Sequence, residues 1–556
     1  FSPSFASTFD SFSFRPAPTP ATSSADLSKT ISSSVISDLT ANYNNTFGDH
    51  TVGGLLGFSW QRDVSDRNYF FLQGFPDDEL LITATNALEV PTKSASITEV
   101  GLNSLFGRFS YNYKGKYFAT VNLRRDKSSR FGPDNKDAFF PSIAASWNIA
   151  QESFLKDSNL VNILRLRASY GEVGSVNVGD FNYIQFFERG FRDDASYNGQ
   201  PAIGVSSELV NTDIRWEETT EYNIGLDFAL FGNRLKGGID VYDRQTSDAL
   251  LASNFPLESG AQDFTSNFAD ISNKGVEFEI AGDIIRSKDF NWSAAFNISK
   301  NRNKLEKFIG DNLFPFVLDR FEEGSEIGLI KGHIVEGIFQ NQAEVDALNS
   351  TSPTGFYQRP GTGAGDYKFE DLNGDGVIDQ DDRRNLGSSQ PDFFGGFNTT
   401  ISYKGFELSS FFNFSKGTES TFLGSFFNST NPGFGKNIVS MYDYPNRWSV
   451  DNTSASLPRL VFGDPNQNDR VSNATVFDSS YLRLRNVQLK YNFGNQITEA
   501  LSLTNLSLFM SASNIWTLTD YPGVDPAVGS ATAFGTDNGS PYPSAKSWTF
   551  GINVNF

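Results

Sequence analysis

Apolar and polar residues alternate at every second position through much of this 556-residue chain, which is the period of a β-strand with two different faces. In the stretch from Glu221 to Leu230 the apolar positions are Tyr222, Ile224, Leu226, Phe228 and Leu230. Residues 231–234 form a turn-like segment, and a second alternating stretch begins at Leu235. This pattern predicts a β-hairpin.

Other alternating stretches are joined by equally short turns, at Lys114–Lys116 and at Lys404–Gly405. Further single strands are predicted at Thr51–Arg62, Ile163–Gly171, Val276–Ile280, Trp292–Ile298, Tyr481–Phe493 and Leu503–Asn514. Around Asn486 the apolar residues move from even to odd positions. A β-bulge, in which one extra residue enters a strand, is the simplest explanation of that shift.

The connections between predicted strands have two sizes, a few residues at these turns and tens of residues at Ser415–Ser480 and Thr519–Lys546. Short turns on one side and long loops on the other are typical of outer-membrane barrels. Strand ends rich in aromatics, such as Tyr113 and Tyr403, fit the aromatic girdles at the two membrane interfaces. We therefore expect an all-β fold, a transmembrane antiparallel β-barrel with short periplasmic turns and long extracellular loops. The alternative is a soluble sandwich whose core holds these aromatics.

The C-terminal stretch repeats the alternation up to the last residue. One face would carry Trp548, Phe550, Ile552, Val554 and Phe556. A last strand that ends in an aromatic residue resembles the signal read by the machinery that inserts barrels into the bacterial outer membrane. We interpret these five residues as an outer-membrane insertion signal.

Composition excludes several classes of function. The chain has no Cys, so disulfides, thiolate metal sites and cysteine nucleophiles are absent. Its net charge of −20 argues against binding nucleic acid. The two histidines, His50 and His333, are expected to be structural, and the pair Glu277 and Glu279 to be a solvated wall. With neither a Gly-x-Ser-x-Gly nucleophile motif nor a phosphate-cradling loop, we expect no enzymatic activity.

One segment has the pattern of a metal site. Residues 371–382 match the opening of an EF-hand calcium loop, in which alternate residues bring oxygen atoms to one centre and Gly376 permits a sharp turn. The predicted calcium ligands are Asp371, Asn373, Asp375, Val377 through its carbonyl, Asp379 and Asp382. Asp382 replaces the usual bidentate Glu, so weak binding with a structural role is expected. We interpret residues 366–384 as a calcium-loop-like extracellular insertion, and a metal-free acidic turn is the alternative.

Several segments are distinctive in sequence and follow one another along the chain. They are residues 42–57, Arg124-Arg-Asp-Lys-Ser-Ser-Arg-Phe-Gly-Pro-Asp-Asn135, residues 139–147, 216–227, Asn273-Lys-Gly-Val-Glu-Phe278, residues 369–379, 480–486 and Tyr521-Pro-Gly-Val-Asp-Pro526. Together they resemble the SusC/RagA-type TonB-dependent transporters of Bacteroidota outer membranes. The resemblance implies a barrel of about 22 strands around an N-terminal plug, a SusD-like lipoprotein lid and energy from TonB. At roughly 30–35 residues per strand and connection, this chain supplies about 16 of those strands.

We therefore expect residues 1–556 to be the C-terminal part of the barrel, with the plug and the TonB box outside this chain and the remaining strands as partners. The resemblance implies import of a glycan or peptide nutrient across the outer membrane, with loop aromatics such as Phe426, Phe427 and Tyr442 as candidate ligand contacts. Two alternatives remain open. One is a siderophore-type receptor without a lid, and the other is a soluble secreted glycan-binding protein.

Overall fold

The computed structural model of the protein describes residues 2–3, 7–15, 23–75, 84–189, 196–197, 200–201, 203–205, 208–254, 263–309, 322–422, 446–527, 535–537 and 544–556. In these residues one sheet dominates, and sixteen of its eighteen strands follow each other in chain order. They are β1 Ser7–Arg15, β2 Ser24–Phe47, β3 His50–Gln73, β4 Glu89–Tyr113, β5 Tyr117–Ser128, β6 Asp137–Asn148, β7 Val161–Ser175, β8 Glu217–Leu230, β9 Leu235–Asn254, β10 Asp263–Arg286, β11 Phe290–Phe308, β12 Phe393–Tyr403, β13 Phe406–Lys416, β14 Tyr481–Asn492, β15 Asn505–Leu518 and β16 Ser547–Asn555.

Each of these strands pairs antiparallel with the next, so the sheet is a continuous meander. Its two shortest strands, Ser2–Pro3 and Glu208–Leu209, pair with β2 and β10. In the described part of the chain β16 pairs with β15 alone, and the sheet does not close into a ring. The sequence prediction of an antiparallel barrel wall with about 16 strands is confirmed.

Smaller elements lie in the connections. The short strands are Phe187–Arg189, Ser196–Tyr197, Gln200–Pro201, Ile203–Val205, Leu329–Gly332, Val335–Ile338, Tyr367–Phe369, Arg384–Ser388, Glu419–Phe422, Val476–Asp478 and Thr536–Asp537. The helices are α1 Gln342–Thr351 and α2 Asn495–Ala500, with 3₁₀ turns at Ala84–Asn86, Ile149–Gln151 and Gln380–Asp382. Among the described residues, none of the helices has the length and apolar character needed to cross a membrane.

The predicted hairpins and the predicted bulge are confirmed. Lys404 and Gly405 form the two-residue turn between β12 and β13, and both have positive φ, 45° and 91°. This is the backbone form that matches the twist of a hairpin. In β14 the pairing to both neighbouring strands skips Arg485, next to the predicted position Asn486.

One face of the sheet, here called the outer face, is apolar and exposed. A row of cross-strand neighbours on this face consists of Leu408, Leu489, Met510 and Phe550. Phe550 and Ile552 in β16 are 72% and 65% exposed. Apolar side chains that face outwards on a continuous sheet are what a strand in contact with lipid requires. Burial of these residues inside a soluble core, the sandwich alternative, does not occur.

The width of the apolar band can be measured along β3. Leu56, Phe58 and Trp60 are exposed on the outer face, and the next outward residue, Arg62, forms an ion pair of 2.7 Å with Glu99. The stretch His50–Trp60 therefore matches the roughly 9–11 residues of a tilted transmembrane strand. Because β2, β3 and β4 contain 24, 24 and 25 residues, more than half of each extends beyond the band on the side of the long loops.

Candidate functional site

Two long connections on the same side of the sheet fold together. We call residues 322–392 and 446–480 the outer loop unit. Its core is a cluster of buried residues from the first segment. Leu457 and Ala474 of the second segment are partly buried and pack against this cluster. The buried members are Phe339, Val345, Tyr357, Tyr367, Phe369 and Ile378. Helix α1 contributes Val345, and Asn341 caps the start of α1 by accepting a hydrogen bond from the N–H of Glu344 at 3.1 Å.

A buried polar network joins the two segments beside this cluster. Arg459 donates two hydrogen bonds of 2.8 Å to the carboxylate of Asp366, which is fully buried. Asn468 donates to Asp366 at 3.1 Å and to Asp464 at 2.8 Å. Burial raises the pKa of Asp464 to about 6. The network gives the two loops one defined arrangement, since the buried Asp366 of the first segment depends on Arg459 and Asn468 of the second.

His333 also lies at the junction of the two segments. Its backbone N–H donates to the carbonyl of Val471 at 3.0 Å, and its carbonyl accepts from Asn473 at 3.2 Å. The imidazole is buried, its Nδ1 has no hydrogen-bond partner in the described residues, and burial with Arg470 and Arg383 nearby lowers the pKa of His333 to about 4. The histidine is therefore neutral at ordinary pH, as expected for a structural residue.

The predicted calcium loop lies on the surface of the outer loop unit. Gly376 has φ +83°, so the sharp turn expected at this glycine is present. Ile378 is buried in the hydrophobic cluster and anchors the loop. The carboxylate of Asp371 accepts hydrogen bonds from the N–H groups of Gly374 and Gly376 at 2.7 and 2.8 Å. The loop is thus folded on its own backbone, a form that fits both the calcium loop and the metal-free acidic turn.

Other predicted ligands of this loop bind its backbone as well. Asp375 accepts from the N–H of Val377 at 2.9 Å, and the buried Asp382 accepts from the N–H groups of Leu372 and Asp379 at 2.8 Å each. Asn373 and Asp379 accept from the N–H groups two residues further on. Among the described residues no group of three or more His, Asp or Glu side chains is placed to hold a metal ion. Calcium binding by this loop stays a prediction.

The inner face of the sheet is polar and charged. Arg167 in β7 forms ion pairs with Asp227 in β8 at 2.9 Å and with Asp240 in β9 at 3.0 Å. A cavity of about 650 Å³ next to these strands is lined by Asp227, Lys236 and Glu279 among others. Glu277 shares this face, as predicted from its alternation with the apolar positions. The inner face is therefore suited to contact with water or with polar groups.

A third long connection, between β15 and β16, is held together and attached to the wall by residues from the segment 521–526. Tyr521 donates a hydrogen bond of 2.9 Å to Asp537, and Arg483 of β14 forms a buried ion pair with Asp525. These anchoring roles were not predicted, although the segment itself was among those that carried the family resemblance. Phe426, Phe427 and Tyr442, the candidate ligand contacts, lie outside the described residues.

Comparison with known proteins decides the family. Residues 1–320, more than half of the chain, match the family described as TonB dependent receptor-like, beta-barrel. The chain belongs to this family. Membership in this TonB-dependent receptor family agrees with the meander of antiparallel strands and with the apolar outer face, and it places the chain in the bacterial outer membrane.

The relatives also support the resemblance to the SusC type. TonB-dependent receptor P3 of Formosa agariphila is 34% identical over 537 residues, which cover 92% of this chain and 51% of the relative. TonB-dependent receptor SusC of Bacteroides thetaiotaomicron is 30% identical over 480 residues, which cover 84% of this chain and 44% of SusC. The chain thus spans about half the length of the curated relatives it matches.

Solved structures confirm the receptor fold. The RagAB peptide transporter superposes with a TM-score of 0.75 at 24% identity, covering 96% of this chain and 56% of the other. The RagAB peptide importer in its open-open state gives a TM-score of 0.77 at 23% identity, with 99% and 57% covered.

In this receptor barrel the five residues read as an insertion signal form one surface. Trp548, Phe550, Ile552 and Val554 share the outer face of β16, and Phe556 follows its end, highly exposed. The structure brings the residues together as predicted, and their role in membrane insertion stays a prediction.

Proposed function

We propose that the protein containing this chain imports a glycan or peptide nutrient across the outer membrane through a TonB-energised barrel. The observation that carries this proposal is the pairing of an exposed apolar outer face with a charged inner face on one antiparallel sheet. Membership in the TonB-dependent receptor family and similarity to a protein named SusC add support. The chain contributes transport and no catalytic step.

The proposal includes partners. Residues 1–556 are the C-terminal part of the barrel, and the rest of the protein supplies the missing strands, a plug and the segment that binds TonB. A SusD-like lipoprotein covers the extracellular mouth, where the outer loop unit offers a folded surface. Outer-membrane lipid surrounds the apolar face, and no contact with nucleic acid is proposed. Calcium in the loop 371–382 would have a structural role, since Ile378 anchors the loop in the hydrophobic cluster of the outer loop unit.

Uptake measurements in the native host test the import function. Deletion of the gene should abolish growth on one class of nutrient, and deletion of TonB should have the same effect. Affinity purification in detergent should recover an abundant surface lipoprotein with the barrel. A barrel that purifies alone and binds iron chelates would support the siderophore receptor instead. A protein that is soluble and monomeric without detergent would refute both.

A further inference from the structure

A second cavity, of about 420 Å³, lies on the inner face of β11 to β14. It is close to the extracellular end, because Ser415, one of its lining residues, is next to the last residue of β13. Two rows of cross-strand neighbours form its wall. The first row is Asn297, Gly396 and Asn413, and the second is Phe394, Ser415 and Tyr481.

The lining of this inner-wall cavity is uncharged. None of the residues that line it is Asp, Glu, Lys, Arg or His, although a fifth of the whole chain is charged. Arg483, the cross-strand neighbour of Asn413, packs on the ring of Tyr481 and is already paired with Asp525. The larger cavity on the inner face differs, because Asp227, Lys236 and Glu279 line it. A ligand with a formal charge would lose water here and gain no counter-charge from the wall, which is unfavourable.

An exposed aromatic ring and free space lie side by side in this cavity. Phe394 is 45% exposed on the inner face. Gly396, two residues along the same strand, lets the ring of Phe411 lie close to the backbone, because a Cβ there would lie 3.0 Å from that ring. The wall therefore offers the exposed ring face of Phe394 beside a cavity of about 420 Å³, which is enough for part of a small ligand.

Amide and hydroxyl groups surround the ring. Asn413 donates to the hydroxyl of Tyr481 at 3.2 Å through its amide group, whereas its carbonyl oxygen is buried and accepts no hydrogen bond from any described residue. Asn297 accepts from the N–H of Gly396 at 2.8 Å, which leaves its amide hydrogens as donors. The hydroxyls of Ser415 and Thr418 contact each other at 3.0 Å. Such groups both donate and accept, as sugar hydroxyls do.

We propose that this inner-wall cavity binds an uncharged saccharide unit of the imported ligand. The proposal rests on the import function and narrows its ligand from glycan or peptide to neutral glycan. The apolar C–H face of a pyranose packs on Phe394, and its hydroxyls hydrogen-bond to the side chains of Asn297, Asn413 and Ser415. A peptide or an acidic glycan brings charges that this wall leaves without partners.

Calorimetric titration of the full-length protein in detergent tests the assignment. The probes are neutral gluco-, manno- and galacto-oligosaccharides, an oligouronate of similar length, and a hexapeptide. Phe394→Leu keeps the apolar bulk and removes the ring, so it should weaken binding of the neutral oligosaccharide on the order of tenfold. The matched control is Phe393→Leu, since Phe393 is the adjacent residue on the outer face, and its affinity should equal that of the wild type.

Asn413→Ala provides a second variant should Phe394→Leu impair folding, which the thermal unfolding midpoint reports, and it should also weaken binding. The assignment is overturned if the wild type binds only the oligouronate or the peptide, if it binds no probe, or if both inner-face variants bind like the wild type. Uptake measurements distinguish failure of the saccharide assignment from failure of the import function. Intact TonB-dependent uptake of peptides refutes the saccharide assignment alone, whereas absence of any TonB-dependent uptake refutes the import function.

Discussion

Arg459 reaches from one extracellular loop to the carboxylate of Asp366 in another and binds both of its oxygens at 2.8 Å. Asp366 is fully buried, so removal of Arg459 leaves a buried carboxylate without its counter-charge. Arg459→Ala should destabilise the outer loop unit by about 3 kcal/mol, near the lower end for a broken buried pair because Arg459 is partly exposed. Hydrogen exchange of the amides at 366–369 would report the loss.

The control for this prediction is Lys368→Ala on the same short strand. Lys368 pairs with Glu336 at 2.9 Å, and both side chains are exposed. The free energy of local opening measured by hydrogen exchange should therefore change by less than about 1 kcal/mol. Equal exchange in the two variants would contradict a special role for the Arg459–Asp366 pair.

Acid should loosen the same unit through His333. The folded pKa of about 4 lies below the ordinary value of 6.5, so the neutral form is stabilised by folding. This contribution is complete above about pH 6.5 and is lost as the pH falls through 4. His333→Phe should reduce the increase in loop proteolysis between pH 7 and pH 4.5. An unchanged pH profile in this variant would show that other groups control the acid response.

Asp464 affects the pH dependence of stability in the opposite direction to His333. Its folded pKa of about 6 is above the ordinary 3.8, so its contribution to stability is present below pH 3.8 and is lost as the pH rises through 6. Asp464→Asn should therefore raise resistance of the outer loop unit to proteolysis at pH 8 relative to pH 5. The ratio of cleavage rates at the two pH values is the measurement, and a ratio equal to that of the wild type would refute it.

Calcium should bind the loop 371–382 weakly, with a dissociation constant of about 0.1–1 mM as in extracellular modules. Asp375→Asn retains an acceptor for the N–H of Val377 and removes one charge, so affinity should fall by about tenfold. Asp346→Asn on α1 is the control, because this exposed acid lies outside the loop. Calorimetric titration with calcium chloride measures this affinity. The absence of binding at millimolar calcium would show that the loop is not a calcium site.

A charge on the outer face of the last strand should impair assembly. Ile552→Lys places an ammonium group in hydrocarbon, which costs about 2–4 kcal/mol near the bilayer midplane. Thr549→Lys on the inner face of β16 is the matched control and should assemble normally. The amount of protease-resistant barrel in outer-membrane fractions is the readout. Equal yields of the two variants would argue against lipid on the Ile552 side.

Sequence alone predicted the sheet well, because each strand carries its own alternation. The turn at Lys404 and Gly405 and the bulge beside Asn486 followed from the phase of that alternation. Strand lengths were underestimated: β3 was predicted to end at Arg62 and continues to Gln73. Beyond Trp60 both faces of β3 lie outside the apolar band. The alternation of apolar and polar residues, on which the prediction depended, is therefore weaker there.

The outer loop unit was not predicted, apart from its acidic loop. Asp366 and Arg459 are 93 positions apart, and their contact depends on how two irregular loops pack. No periodic pattern in the local sequence indicates that two such distant residues form a pair. The acidic loop 371–382 could be singled out because its spacing is local, whereas the inner-wall cavity needs the register of four strands at once.

The unequal lengths of the strands have a mechanical consequence at the loop edge of the sheet. Among the described residues, β2, β3 and β4 are paired with one another along nearly their whole length, so this part of the edge is a stiff ribbon. Next to β12 and β13, with 11 residues each, the described part of the edge consists of folded loops held by side-chain contacts such as the ion pair between Arg483 and Asp525. A load applied at this edge would therefore displace the loops before it bends the long strands.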